Sequence, residues 1–149
     1  MKKGKSSSAV SRPPAENGRS APQSVALFTI AYYWVPVIAY CLLIFLQSAY
    51  PAISQTPDLP YMDKIAHGCI YAVLGFLCFR ALRTLPMGNR TLLIFCFSML
   101  LSTLYGISDE IHQLFVVSRT AEIMDAAADM LGSILGAGAA WWWYKKSDA

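Results

Sequence analysis

The sequence predicts an all-α membrane protein, a bundle of four transmembrane helices with both termini cytoplasmic. Three observations carry this expectation. Of the 149 positions, 56% are hydrophobic and only 14% charged, which is too apolar for an ordinary soluble domain in a chain too short for two domains. Four apolar runs each approach the roughly 20 residues that cross a hydrocarbon layer about 30 Å thick. Lysine and arginine are distributed very unevenly among the segments that separate those runs, which is the pattern that orients membrane helices.

Residues 1 to 24 carry Lys2, Lys3, Lys5, Arg12 and Arg19 among serines, Pro13, Pro14 and Pro22. Such a stretch buries too little apolar surface to offset the entropy of ordering, so it reads as a disordered, basic, cytoplasmic tail, with residues 25 to 149 as the membrane domain. A signal peptide would place a short apolar region early and end it at a small-x-small site. Here the first apolar run starts near Val25 and continues to about Tyr50, so it reads as a retained span.

That first span, 25 to 49, contains Pro36, which removes a backbone donor and predicts a kink. After a polar, proline-rich loop comes a second span at 64 to 82, then a short basic turn with Pro86 and Gly88. The third span covers 91 to 110. The fourth covers 122 to 143 and ends in WWWYKK, aromatic residues followed by lysines, as suits a helix end at a membrane surface.

Orientation follows from charge. Lys2, Lys3, Lys5, Arg12, Arg19, Arg80, Arg83, Arg90, Lys145 and Lys146 fall on one side of four spans, which should be cytoplasmic. Asp58, Asp63, Asp109, Glu110, Glu122, Asp125 and Asp129 fall on the other, with Lys64 and Arg119 as its basic residues and with His67 and His112. The net charge of +3 is not a nucleic-acid signal, because the basic residues flank apolar segments and form no basic face with interleaved aromatics. Cys41, Cys69, Cys78 and Cys96 lie inside apolar runs without paired-ligand spacing, so they read as small lipid- or core-facing residues.

The stretch from Tyr105 to Gly136 concentrates the ionisable residues between two spans. Counting about 20 residues back from Trp143 leaves Asp125 at the outer boundary and Asp129 roughly 6 to 8 Å deeper. Asp109 and Glu110 reach the same boundary on the third helix, while Asp63, Lys64, His67 and Tyr71 approach it on the second. On the fourth helix Glu122, Asp125, Asp129, Gly132 and Gly136 share one face of a 3.6-residue period, and the Gly132/Gly136 pair admits a close helix neighbour. The acids above those glycines should therefore point into the bundle. Taken singly, Asp109, Glu110, Glu122 and Lys64 read as solvated helix-end charges. Asp129 does not, since a charge at that depth costs on the order of 2.5 to 3.5 kcal/mol on insertion scales.

Three motifs in order, DKIAHGCIYAVLGF at 63 to 76, YGISDEIHQLF at 105 to 115 and SRTAEIMDAAADMLGSILG at 118 to 136, resemble the VanZ-like family of small bacterial membrane proteins. The shared pattern is DKxxHxxxY, then DExxQ, then an arginine followed six residues later by aspartate and seven beyond that by glycine. The resemblance implies shared positions at Asp63, Lys64, His67, Tyr71, Asp109, Glu110, Gln113, Arg119, Asp125 and Gly132. Two departures from the family pattern are Asp129, where asparagine is usual, and VVSR, where VPGR is commoner. The resemblance also implies a place in the bacterial cytoplasmic membrane and, through the family's named member, a link to low-level resistance to the glycopeptide teicoplanin. It supplies no reaction and no cofactor.

Three functional classes follow. In the first, an outward-facing site of Asp63, Lys64, His67, Tyr71, Asp109, Glu110, Gln113, Arg119, Asp125 and Asp129 binds the head group of a lipid or of a lipid-linked cell-wall intermediate. Arg119 and Lys64 would then suit a phosphate or carboxylate, while carboxylates and Gln113 orient sugar or amine groups. In the second, an intramembrane hydrolase or transferase, His67, Asp109, Glu110 and Asp125 do acid–base work or hold a cation. There is no nucleophile motif and no HExxH or DxDG-type spacing, and no residue is assigned to a metal. In the third, the charges form a buried ion-pair lock that keeps four short helices in register.

Overall fold

The computed structural model describes residues 23–50, 61–87, 90–117 and 121–147. These form four helices and no strand: α1 (Gln23–Ala49), α2 (Met62–Leu82), α3 (Thr91–Gln113) and α4 (Ile123–Ser147). All four are long and apolar enough to cross a membrane. The tail at 1 to 22, the loop at 51 to 60 and Arg119 lie outside the described residues.

The helix boundaries depart from the expected ones mainly at α3 and α4. α3 runs a turn beyond Glu110 to Gln113, which puts the Gln113 side chain on the face of Asp109. α4 continues past Trp143 to Ser147, with Lys145 and Lys146 in its last turn, where cations favour the carbonyl end of the helix dipole. Pro36 lies within α1, which continues through it as one helix.

α2 and α4 are the central pair, and glycines set their distance. A Cβ added at Gly132 would meet the backbone of Gly68, and one at Gly136 the carbonyl of Ala72. On the other partner, a Cβ at Gly75 would lie 2.5 Å from the carbonyl oxygen of Ser133. Three backbone-to-backbone approaches along one seam leave no room for side chains, which is how helices associate when lipid supplies no hydrophobic drive. α3 presents a stripe of Ile94, Ser98, Ser102, Gly106, Asp109 and Gln113 to this pair, all buried. The Ser98 and Ser102 hydroxyls donate back to the carbonyls of Ile94 and Ser98 at 2.6 and 2.9 Å, so these polar groups are satisfied within their own helix.

α1 packs on α2 and α3. Tyr105 on α3 donates to the Cys41 carbonyl at 2.6 Å, Tyr40 to the Ile70 carbonyl at 3.2 Å, and the Trp34 indole to Thr84 at 3.3 Å. An apolar cluster of Val37, Ile44, Tyr71, Leu74, Cys78 and Ala81 fills the space between α1 and α2. Most of the remaining large apolar side chains, including Leu27, Ile38, Leu42, Leu104 and Leu135, face outward, as lipid contact requires.

The two ends of the bundle differ chemically. At one, the Arg80 guanidinium lies 4.9 and 4.7 Å from the ring centroids of Tyr32 and Tyr33, Arg83 is 4.1 Å from that of Tyr144, and Lys146 is 5.7 Å from that of Trp142. At the other end, where α1 and α3 finish and α2 and α4 begin, the carboxylates gather.

Candidate functional site

Three helices bring the acidic end together. α2 begins after Tyr61, whose φ of 69° is the only left-handed value at a non-glycine among the described residues, and its first turns carry Asp63, Lys64 and His67. α3 contributes Asp109, Glu110 and Gln113 from its last turns. α4 contributes Asp125 and Asp129, with Glu122 just ahead of it.

The Lys64 ammonium is the hub of one cluster. It donates to Asp63 at 2.9 Å, to Glu122 at 2.8 Å and to Asp125 at 2.8 Å. An ammonium has three donors, and here each meets a carboxylate. This corrects the reading of Lys64 as a solvated helix-end charge, since its side chain is only 19% exposed and bridges α2 to α4. It also leaves Lys64 without a donor for an incoming anion. Glu122 stays at the surface, as expected of it, with 48% of its side chain exposed.

A second cluster lies deeper. His67 Nδ1 is 3.0 Å from Asp129 Oδ1 and 3.9 Å from Glu110 Oε1. Glu110 accepts from the backbone N–H of Glu122 through Oε2 at 3.0 Å, which ties the end of α3 to the entry of α4. Its Oε1 and Asp129 Oδ2 are buried and accept no hydrogen bond from the described residues. Asp109 and Glu110 are both buried, against the expectation of solvated ends, because α3 continues past them and α4 folds back over this face. Asp109 Oδ2 accepts from Gln113 at 3.2 Å.

Asp129 has its place because Gly106 faces it. A Cβ at Gly106 would stand 2.7 Å from Asp129 Oδ2 and 3.1 Å from the Tyr71 ring. The acids above Gly132 and Gly136 thus point into the bundle, as the shared helix face implies, with Asp129 fully buried and Asp125 nearly so. His112 takes no part in either cluster: its ring packs on Phe45, with centroids 4.7 Å apart.

Between α1, α2 and α3 the structure holds a cavity of about 40 Å³, lined by Ile44, Gln47, Ser48, His67, Ile70, Tyr71, Asp109 and Gln113. The Ser48 and Tyr71 hydroxyls are buried without a partner among the described residues. Of the four residues proposed for catalysis, only His67 and Glu110 share a cluster, since Asp109 bonds Gln113 and Asp125 bonds Lys64.

The model of the VanZ/LLP1 family matches residues 15–144. The chain belongs to that family. No curated protein and no solved structure matches it. Membership accounts for the four apolar helices of a multi-pass membrane protein, and it covers all the residues of both clusters.

Three participants escaped the sequence reading. Gln47 and Ser48 look like ordinary polar residues at the end of an apolar span. Gly106 carried a usable signal, because Ser98, Ser102 and Gly106 recur every four residues and then lead to Asp109, marking a close-packed face that ends in a carboxylate.

Proposed function

We propose that this VanZ/LLP1 family protein binds the polar head group of a membrane lipid or lipid-linked cell-envelope intermediate at its acidic end, on the outer face of the bacterial cytoplasmic membrane. The observation that carries the reading is the cavity between α1, α2 and α3, where the apolar Ile44 and Ile70 stand beside His67, Tyr71, Asp109 and Gln113. A lining that mixes apolar side chains with hydrogen-bonding groups suits a molecule with a hydrocarbon chain and a polar head. The volume exceeds the roughly 10 to 15 Å³ that one water needs, so a small polar group fits.

The charged groups next to this cavity, joined to it through His67, bear on the head group. Lys64 is saturated by three carboxylates, whereas buried acceptors on Glu110 and Asp129 lack donors. The described part of the site therefore favours a donor-bearing head, such as sugar hydroxyls or an amine, over a bare anion. On the sequence-derived outer side, the basic residue left to meet a phosphate is Arg119. An effect on teicoplanin susceptibility belongs to this reading, since that antibiotic acts at the cell envelope.

Native mass spectrometry of the protein released from membranes in mild detergent tests the proposal. The wild type should retain a lipid that folded Gln113→Leu and Ser48→Leu variants lose, because both substitutions close the cavity with apolar bulk. Wild-type protein free of lipid, or an unchanged lipid complement in both variants, would overturn it.

A further inference from the structure

We infer that His67, Glu110 and Asp129 form a binding site for a divalent transition-metal ion, of the class of Zn²⁺ or Mn²⁺. One nitrogen of His67 and one oxygen from each carboxylate lie within 4.8 Å of one another, a separation that donors about 2.0 to 2.4 Å from a shared ion can adopt. The donor set combines one imidazole with two carboxylates, which suits zinc, manganese or iron better than an ion that prefers oxygen alone.

Geometry alone would not distinguish this cluster from its neighbour, because Asp63, Glu122 and Asp125 also bring three oxygens together. The difference is what neutralises them. In the outer cluster the Lys64 ammonium already fills the space among the three carboxylates at 2.8 to 2.9 Å, and water reaches Asp63 and Glu122, whose side chains are 59% and 48% exposed. Among the described residues, the inner cluster has two carboxylates, with side chains 7% and 1% exposed, and a histidine as its cationic group. Among the described residues, even a charged imidazole leaves one negative charge without a counter-charge, at a depth where that is costly. A dication with a neutral imidazole closes the balance.

The unpartnered oxygens give the independent support. Glu110 Oε1 points towards His67 Nδ1 at 3.9 Å, too far for a hydrogen bond, and Asp129 Oδ2 lies where only glycine at 106 leaves room for it. Glu110 Oε2 and its bond from the Glu122 N–H would act as the outer support that orients a ligating carboxylate. Three protein donors leave further coordination positions unfilled, and His67, one of the three, also lines the cavity. The site draws on the Glu110 and Asp129 carboxylates that the head-group reading leaves to a donor, and an ion there would offer a Lewis-acidic contact to a head-group oxygen in that donor's place.

The test is elemental analysis of the full chain purified in detergent without chelators, followed by titration of chelator-stripped protein with ZnCl₂ and with MnCl₂ while thermal stability is recorded. Wild-type protein should carry or take up an equimolar ion and melt higher with it. Glu110→Gln and His67→Gln should weaken binding by at least about tenfold, whereas Asp63→Asn, in the lysine-filled cluster, should leave it unchanged. Folded wild-type protein that neither contains nor binds either metal overturns the inference, and this holds even if the variants fail to fold. Equal loss from Asp63→Asn, or undiminished binding in folded Glu110→Gln and His67→Gln, would also overturn it. Lipid retention in the native mass spectrum is read separately, so failure of one proposal leaves the other standing or falling by its own result.

Discussion

The ammonium of Lys64 on α2 and the carboxylate of Asp125 on α4 meet at 2.8 Å, across the same helix pair that Gly132 and Gly136 bring into backbone contact. The ion pair and the glycine seam act on one interface. Below the pair the helices touch through backbone, and above it they are joined by charge, so the lysine cannot be withdrawn without exposing three carboxylates to one another.

From the sequence, Lys64→Ala is expected to be mild, because the residue reads as a solvated helix-end charge. The structure reverses the expectation. Removing the ammonium leaves Asp63, Glu122 and Asp125 facing each other, and Lys64→Ala should lower the melting temperature in detergent by more than about 5 °C. Lys64→Arg, which keeps the charge, should recover most of the loss. An alanine variant that melts with wild type would remove the hub role.

Asp125→Asn should damage folded yield or stability far more than Glu122→Gln, although both acids bond the same lysine. Asp125 is buried, and breaking a buried charged network costs about 3 to 5 kcal/mol. Glu122 is half-exposed, and its contact with Glu110 runs through its backbone N–H, which a side-chain change retains. Its loss should cost about 0.3 to 1 kcal/mol. Comparable melting of the two variants would misplace the boundary between buried and solvated charge by about a helical turn.

Gly136→Val should abolish the α2–α4 contact, because the added Cβ meets the backbone carbonyl of Ala72, which has no rotamer through which to yield. Gly138→Ala is the control, since a Cβ there is 3.9 Å from the Phe95 ring. Aggregation or loss of monodispersity on gel filtration is expected for the first and not the second.

Single cysteines introduced at positions 55 and 118, in a background lacking the four native ones, should react with an impermeant thiol reagent in intact cells, and a cysteine at position 5 should not. The asymmetry of lysine and arginine across the four spans predicts this. Labelling at 55 only after the inner face is opened would invert the topology and place the acidic end in the cytoplasm.

The existence of four helices, their number and their approximate limits were legible because hydropathy is a property of composition along the chain, and a span needs about 20 apolar residues wherever it packs. The inward direction of Asp125 and Asp129 was legible too, through the period that puts them on the face of Gly132 and Gly136. The burial of Asp109 and Glu110 was not. Seen along α3 alone they end a span, and only the fold-back of α4 covers them.

The sequence by itself determined a four-span membrane protein with a basic end and an acidic end, because charge and hydropathy act on each segment independently through the bilayer. Only the tertiary structure decided which charge answers which. The rotation and closeness of α2 and α4, set by Gly68, Gly75, Gly132 and Gly136, direct Lys64 to Asp63, Glu122 and Asp125 and leave His67 with Asp129 and Glu110. A pairing of this kind depends on distances of a few ångströms between residues about 60 positions apart. No local pattern encodes such distances, since they follow from how the helices cross.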